Sequence, residues 1–81
     1  MRVRVLYFAG VRDVVGRAEE ELELPAAVAT VSDFARFIGE AHGLTERMPT
    51  IRIARNERFA DPTESLANGD VLALIPPVSG G

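Results

Sequence analysis

The sequence predicts an α+β domain in which a mixed β-sheet packs on one main helix. Three observations predict it: short runs of alternating apolar and polar residues near both ends, one segment with helical apolar spacing, and turn residues between the runs. Alternation with a period of two is typical of half-buried strands, and a period near 3.6 of an amphipathic helix. A chain of 81 residues forms one domain with a single modest core and no room for a deep catalytic cleft.

The first predicted strand covers residues 2–8. Alternation places Val3, Val5 and Tyr7 on the inner face and Phe8 on the outer face. A register slip of one residue would bury Phe8 and expose Tyr7 instead, because successive side chains point to opposite faces.

A short helical turn over residues 11–15 and a second strand over residues 19–24 are expected next. Gly16 closes the turn, and glutamates alternate with Leu22 and Leu24 in the strand. This alternation spreads the acidic side chains over two faces, which favours a solvated strand over a metal site. The two strands are expected to pair as a hairpin.

One main helix is predicted between Thr30 and Gly43. Thr30 and Asp33 resemble a capping box, and Gly43 supplies the stop. Gly39 inside the helix costs about 1 kcal/mol relative to alanine, so close packing against the sheet is expected there. The apolar residues at helical spacing are Val31, Phe34, Ala35, Ile38 and Ala41.

The rest of the chain predicts three more strands. They are expected over residues 51–55, 58–60 and 71–75, with a turn at Asn56-Glu57, a helical turn after Pro62 that buries Leu66, and a turn at Asn68-Gly69-Asp70. The order strand, strand, helix, strand, short strand, strand is the β-grasp, or ubiquitin-like, arrangement. The β-grasp domain is expected to span residues 1–76, with a projecting tail over residues 77–81.

Composition excludes several classes of function. A net charge of −3 argues against a nucleic-acid partner. The sequence shows no apolar stretch long enough for a membrane span or a signal peptide. Cysteine is absent, which excludes disulfides, thiolate metal sites and cysteine nucleophiles. We therefore expect a cytoplasmic protein that has no membrane partner.

Catalytic groups are sparse. His42 is the single histidine and lies near the predicted helix C-terminus, where the helix dipole favours a cation, so a structural role is expected. No base–nucleophile pair can be built around it, no residues have metal-ligand spacing, and the glycines form no phosphate-binding loop. The chain is expected to have no self-contained catalytic site and no bound cofactor or metal.

The C-terminal sequence Ile75-Pro76-Pro77-Val78-Ser79-Gly80-Gly81 is the most informative feature. Pro76 and Pro77 stop regular structure after the last strand. Glycine has no Cβ, so Gly80 and Gly81 allow the backbone to enter a narrow channel and a reagent to reach the terminal carboxylate. The tail is therefore interpreted as a reactive terminus presented to another protein; the alternative is a frayed terminus without function.

An apolar patch is predicted beside the tail. Phe8 lies on the outer face of the first strand, Ile75 points to the same side if Leu72 and Leu74 face the core, and Phe59 on the edge strand joins them. Exposed apolar residues grouped next to a reactive tail are typical of a docking surface.

These features resemble the small subunit of molybdopterin synthase, a β-grasp sulfur carrier. The resemblance covers essentially the whole chain, and its most specific part is the terminal Pro-Pro-Val-Ser-Gly-Gly. The residues that carry it are Val5-Leu6-Tyr7-Phe8-Ala9, Val11-Arg12, Gly16, Asn56, Leu66, Gly69-Asp70 and residues 76–81.

The resemblance implies a reaction sequence that takes place on Gly81. An adenylyltransferase similar to ubiquitin-activating enzymes would use ATP to convert the carboxylate into an acyl-adenylate, and sulfur would then replace AMP to give a thiocarboxylate. Two such chains would insert their tails into a large-subunit dimer, forming a heterotetramer. There the sulfur would reach a cyclic pyranopterin monophosphate precursor and form the molybdopterin dithiolene.

The resemblance also assigns roles to residues. Gly81 would be the reactive residue, and Gly80 would give clearance. Residues implied in partner binding are Phe8, Arg12, Phe59, Ile75, Pro76, Pro77, Val78 and Ser79. Three alternatives remain open: a sulfur carrier for the thiazole of thiamine, a ubiquitin-like protein modifier acting through Gly81, and a plain interaction module.

Overall fold

The computed structural model describes residues 1–77, and the predicted mixed sheet with one main helix is confirmed. Five strands form one sheet in the order β2-β1-β5-β3-β4. The elements along the chain are β1 (Arg2–Tyr7), α1 (Ala9–Val15), β2 (Glu19–Glu23), α2 (Val31–His42), a 3₁₀ turn (Met48–Thr50), β3 (Arg52–Arg55), β4 (Arg58–Phe59) and β5 (Val71–Ile75).

The sheet is built around a parallel pair of strands. β1 pairs with β5 in parallel, with Tyr7 opposite Leu74, while β2 and β3 pair antiparallel on either side. Parallel strands end at the same edge of a sheet. As a result Phe8, which follows β1, and Pro76, which follows β5, leave the sheet at the same end.

The inner face of the sheet carries the residues that alternation predicted. Val3, Val5 and Tyr7 are at most 2% exposed, so the predicted register of β1 is confirmed and the one-residue slip is excluded. Leu72 and Leu74 of β5 are fully buried beside them. α2 covers this face with a buried apolar stripe that includes Phe34 and Ile38.

The limits of α2 are as predicted, but Ala41, Phe37 and Gly39 differ from expectation. Thr30 and Asp33 form the capping box, and Gly43 ends the helix with φ of 67°. Ala41 is exposed, and the half-buried Phe37 packs against the core instead. Gly39 is buried because the chain after the helix approaches it: a Cβ there would lie 2.9 Å from Cγ of Met48. The close contact is therefore with this returning segment and not with the sheet.

Two smaller elements also differ from expectation. α1 begins at Ala9 and includes Gly10, whereas the sequence predicted a start at residue 11; Gly16 ends it as expected. Leu66 is 7% exposed and belongs to the core as predicted. It is carried by hydrogen-bonded turns and a single bridge between Thr30 and Ser65, and residues 60–70 contain no helical turn.

A buried carboxylate joins the start of β5 to the β3–β4 turn. Asp70 is 5% exposed and accepts hydrogen bonds from Nε of Arg55 at 2.7 Å, Nδ2 of Asn56 at 2.9 Å and the Ala67 N–H at 2.8 Å. Burial alone raises the pKa of Asp70, but these hydrogen bonds and the charge of Arg55 outweigh it and hold the pKa below its ordinary value. Asp70 is therefore ionised and fully paired in the folded protein.

We predict that Asp70→Asn lowers the free energy of unfolding at neutral pH by about 2–3 kcal/mol, because the buried carboxylate loses its charge-assisted hydrogen bond with the half-buried Arg55. Since the folded pKa lies below the ordinary 3.8, the unfolded state binds the extra proton as pH falls. The contribution of Asp70 is thus complete above that value and is lost below it.

Denaturant titrations at several pH values measure both effects. Wild type should lose stability more steeply than Asp70→Asn as pH falls below 3.8. The control is Asp13→Asn, which removes an exposed carboxylate from α1 and should keep the wild-type profile. Equal slopes for wild type and Asp70→Asn would contradict this assignment.

Candidate functional site

The outer face of the sheet has an apolar half at the end from which the tail leaves. Phe8 and Phe59 are 45% and 54% exposed, and Ile75 is half-buried. The ladder places Leu6 beside Ala73, Ala73 beside Ala54, and Ala54 beside Phe59. These four residues form one apolar row across four strands, which is why the patch is continuous.

An open groove of about 430 Å³ follows this row, and we call it the docking groove. Its floor is shallow because Ala54 and Ala73 are small. Phe8 and Phe59 stand on opposite sides, since β1 and β4 are separated by three strand spacings, or roughly 14 Å. The lining residues are Leu6, Phe8, Ala54, Asn56, Glu57, Phe59, Val71, Ala73 and Ile75.

One wall of the docking groove is held by a cation–π contact. The guanidinium carbon of Arg52 lies 3.5 Å from the centre of the Phe59 ring. Arg52 is also paired with Ile75 in the ladder. Its contact with Phe59 therefore holds the exposed ring close to the end of β5. The Asn56-Glu57 turn that leads into β4 has positive φ at both residues, 51° and 71°, as a tight hairpin requires.

The other half of the outer face is charged and internally neutralised. Arg4 contacts Glu19 at 2.7 Å and Glu21 at 3.0 Å, and Arg2 lies within 3.8 Å of Glu21 and Glu23. The predicted solvation of these three glutamates is confirmed. The outer face therefore divides into a salt-bridged region over β2 and the start of β1 and an apolar region over the end of β1, β5, β3 and β4.

Glu20 departs from the predicted solvated strand. It faces the inner side, where its Oε2 accepts a hydrogen bond from Oη of Tyr7 at 2.5 Å and lies 2.9 Å from Nε2 of His42. Burial on its own raises the pKa of Glu20, but the hydrogen bonds with Tyr7 and His42 outweigh it and the net pKa is lowered. Burial, together with Glu20, raises the pKa of Tyr7, which stays protonated.

The structural role predicted for His42 is consistent with this cluster. His42 is the last residue of α2, and its ring packs edge-on against Tyr7 with centroids 5.6 Å apart. The cluster joins β1, β2 and α2 and lies away from the docking groove. Sequence reasoning missed it because its members are 13 to 35 residues apart and no local pattern connects them.

A second groove lies under the start of the tail, and we call it the tail-base groove. Its volume is about 680 Å³, and it shares Phe8 and Ile75 with the docking groove. Pro76 and Pro77 form part of its wall, so the start of the tail lies beside the docking groove. The lining residues are Phe8, Ala9, Gly10, Val11, Arg47, Thr50, Ile51, Ile75, Pro76 and Pro77.

The remaining site residues lie elsewhere. Arg12 is exposed on α1 and lines neither of these grooves, so its part in partner binding stays a prediction. Val78, Ser79, Gly80 and Gly81 lie outside the described residues, and their roles stay predictions as well. Arg47 and Thr50 were missed, because nothing in the local sequence indicates that the segment after α2 returns to the tail.

Within residues 1–77, no group of three or more histidine and acidic side chains is arranged to hold a metal ion. The same residues include no helix that is both long and apolar enough to cross a membrane.

Fold and site together define a ubiquitin-like β-grasp protein with an apolar groove next to the start of its C-terminal tail. Residues 5–81 match the model of the ThiS family. The sequence is 39% identical to the molybdopterin synthase sulfur carrier subunit of Chlamydomonas reinhardtii, over all of both chains. The chain belongs to the ThiS family. Its relatives within that family include molybdopterin synthase sulfur carrier subunits.

Solved structures show the same relationship. Molybdopterin converting factor subunit 1 from Pyrococcus furiosus is 34% identical, with a TM-score of 0.82 over 96% of this chain and 99% of that one. SAMP1 from Haloferax volcanii is 31% identical, with a TM-score of 0.83 over all of both chains. A complex of subunits 1 and 2 of molybdopterin-converting factor from Helicobacter pylori contains a chain 27% identical, with a TM-score of 0.71 over all of both chains.

We predict that Phe8→Asp changes the free energy of unfolding by no more than about 1 kcal/mol, because Phe8 is 45% exposed and lies outside the core. Phe8 is also the N-cap of α1 and has extended backbone angles, so an aspartate there gains a capping interaction. Thermal unfolding checks this, with Tyr7→Asp as the control that should unfold the domain. Unfolding of Phe8→Asp under native conditions would show that the ring belongs to the core.

Proposed function

We propose that this chain is the sulfur carrier subunit of molybdopterin synthase and that Gly81 carries the sulfur as a thiocarboxylate. The observation that carries the proposal is that the apolar groove on the outer face lies next to the C-terminal end of β5, from which the tail leaves. Because Pro76 and Pro77 leave the sheet at the edge of that face, a partner docked there receives the tail. Full-length similarity to molybdopterin synthase sulfur carrier subunits supports the same function.

The chemistry begins with activation of the terminal carboxylate. A carboxylate at neutral pH is a poor electrophile, so an adenylyltransferase first joins it to the AMP portion of ATP and releases pyrophosphate. Hydrosulfide released from a sulfur donor then attacks the acyl carbon, and AMP leaves with the oxygen that joined it to Gly81, so that one oxygen of Gly81 is exchanged for sulfur. The chain itself binds no cofactor in this scheme and contributes the acyl group alone.

Sulfur transfer takes place in a complex with the large subunit. The complex of subunits 1 and 2 from Helicobacter pylori supports a partner of this kind. Two carrier chains dock on a large-subunit dimer in the cytoplasm, and each thiocarboxylate attacks the cyclic pyranopterin monophosphate precursor. The acid–base groups belong to the large subunit, and two carrier turnovers complete the dithiolene. Water hydrolyses the thioester that forms between each carrier and the pterin, so the sulfur stays on the pterin and the carrier leaves with a free carboxylate.

A protein modifier is the second candidate. SAMP1 is small archaeal modifier protein 1, and its likeness to this chain extends over the whole chain. In that function the activated Gly81 would acylate lysine side chains of other proteins. The two functions share activation and differ in the acceptor, so the product separates them. A carrier for thiamine thiazole would differ in its acceptor in the same way.

We predict that deletion of Gly81 abolishes sulfur loading and leaves the fold intact, because the reactive carboxylate moves to a shorter tail while residues 1–77 are unchanged. Intact mass is measured after incubation with ATP, a sulfur donor and the adenylyltransferase. Wild type should exchange one oxygen for sulfur in its C-terminal peptide, and the deletion variant should not. The control is that the same adenylyltransferase loads sulfur onto a carrier that it is known to activate. If that control succeeds and wild type shows no exchange, the carrier function is refuted.

We also predict that Phe8→Asp weakens binding to the large subunit by about tenfold or more, since a buried aromatic at an interface contributes on the order of 1–3 kcal/mol. Calorimetric titration of the purified subunits measures this. Val14→Asp is a matched control, because Val14 is similarly exposed, at 43%, but lines neither groove. Equal affinities for the two variants would remove Phe8 from the interface.

A further inference from the structure

The tail-base groove combines an apolar floor with one cationic side chain. Val11 and Ile51 form buried parts of its lining, at 1% and 8% exposure, and Ile75 and Pro76 are half-buried. Arg47 is exposed on the wall of the groove. An apolar surface beside an arginine fits a segment that has an apolar side chain and a carboxylate close together.

The backbone that carries Arg47 is fixed. The Arg47 N–H donates to the Leu44 carbonyl at 2.8 Å, and Leu44 is fully buried in the core. The Arg47 carbonyl accepts two further hydrogen bonds from Thr50, one from its N–H at 2.9 Å and one from its hydroxyl at 2.8 Å. The guanidinium therefore extends from a rigid turn, which reduces the entropy lost when it pairs with a partner.

Some arginines of the chain form ion pairs with acidic residues and others do not. Arg2, Arg4 and Arg17 all form ion pairs with glutamates of β2. By contrast, Arg47 and Arg52 form no ion pair with any acidic residue in the described part of the chain. Although the net charge is −3, no acidic residue within residues 1–77 lines the tail-base groove beside Arg47, and Glu57 is the one acidic residue among them that lines the docking groove. A partner with carboxylates beside the tail-base groove is electrostatically complementary.

We propose that the tail-base groove binds an acidic and apolar segment of the large subunit, with an apolar side chain over Ile51 and Ile75 and a carboxylate paired with Arg47. The inference rests on the proposed function. The groove is continuous with the docking groove through Phe8 and Ile75. Pro77 lines it, so a partner that receives the tail must cover it. Arg47 thereby becomes a determinant of large-subunit recognition.

Charge reversal tests the proposal. Arg47→Glu should weaken large-subunit binding about tenfold or more, and Arg47→Gln should weaken it less and reduce its dependence on salt. Arg36→Glu is the matched control: Arg36 is exposed on α2, forms no ion pair within residues 1–77 and lines neither groove. Its affinity should stay within about twofold of wild type, as expected for a charge outside the contact.

The outcomes separate the two proposals. If wild type binds the large subunit and accepts sulfur, but Arg47→Glu binds as well as Arg36→Glu, the groove assignment is overturned and the carrier function stands. If wild type does not bind the large subunit, both fall. A loss of binding for Arg47→Glu to the adenylyltransferase alone, with large-subunit binding unchanged, also overturns the assignment.

Cross-linking identifies the bound segment independently. The chain contains no cysteine, so Thr50→Cys places a single thiol in the groove. A thiol-directed photocross-linker on this variant, mixed with the large subunit, should capture a peptide in which aspartate or glutamate adjoins apolar residues. Capture of a basic peptide, or none despite normal binding, would overturn the proposal.

Discussion

The parallel pairing of β1 with β5 is the constraint on which the rest of the site depends. It brings the first and last strands of the chain to the centre of the sheet and aligns their C-terminal ends. Phe8 and Ile75 therefore meet, although 67 residues separate them along the chain, and the tail leaves from the point where they meet. An antiparallel pairing of the same two strands would place the aromatic residue and the tail at opposite edges of the sheet.

The two faces of the sheet differ in what they contribute. The inner face packs against the core, and the outer face is the surface proposed to bind a partner. The inner face is saturated with core contacts, and its polar groups at the edges, Glu20 and Asp70, are held by several hydrogen bonds each. On the outer face, the small residues Ala54 and Ala73 keep the apolar row shallow, and their neighbours leave them only 7% and 8% exposed. Leaving this row uncovered costs little in solvation because its two central residues are mostly covered by their neighbours, and Arg52 lies over the Phe59 ring. The arrangement leaves a surface that a partner can cover without unfolding any element.

The sequence was sufficient for features that depend on neighbours along the chain. Alternation placed Val3 and Tyr7 inside and Phe8 outside, and the capping box of Thr30 and Asp33 set the start of α2, because both patterns are local. Gly39 was recognised as a close approach, but the neighbour was wrong, since the return of the chain through Met48 is a tertiary contact.

Features that depend on strand order could not be read from the sequence. The row that joins Leu6 to Phe59 exists because β5 and β3 lie between β1 and β4, an order that alternation does not encode. The same holds for Glu20, which joins Tyr7 to a histidine on another element, and for Arg47, which reaches the tail through a turn. The proposal of a reactive terminus rests on residue type alone, because the absence of a Cβ in Gly80 and Gly81 has a chemical consequence that does not depend on the fold.

The most direct test of the account is a single-turnover reaction of the thiocarboxylated chain with the large subunit and the cyclic pyranopterin monophosphate precursor. The account predicts that sulfur leaves Gly81 only when the large subunit is present, that the chain returns to the mass of its free carboxylate, and that a dithiolene forms on the pterin. Retention of the thiocarboxylate in the complete mixture, or its conversion into an amide with lysines of other proteins, would contradict the account.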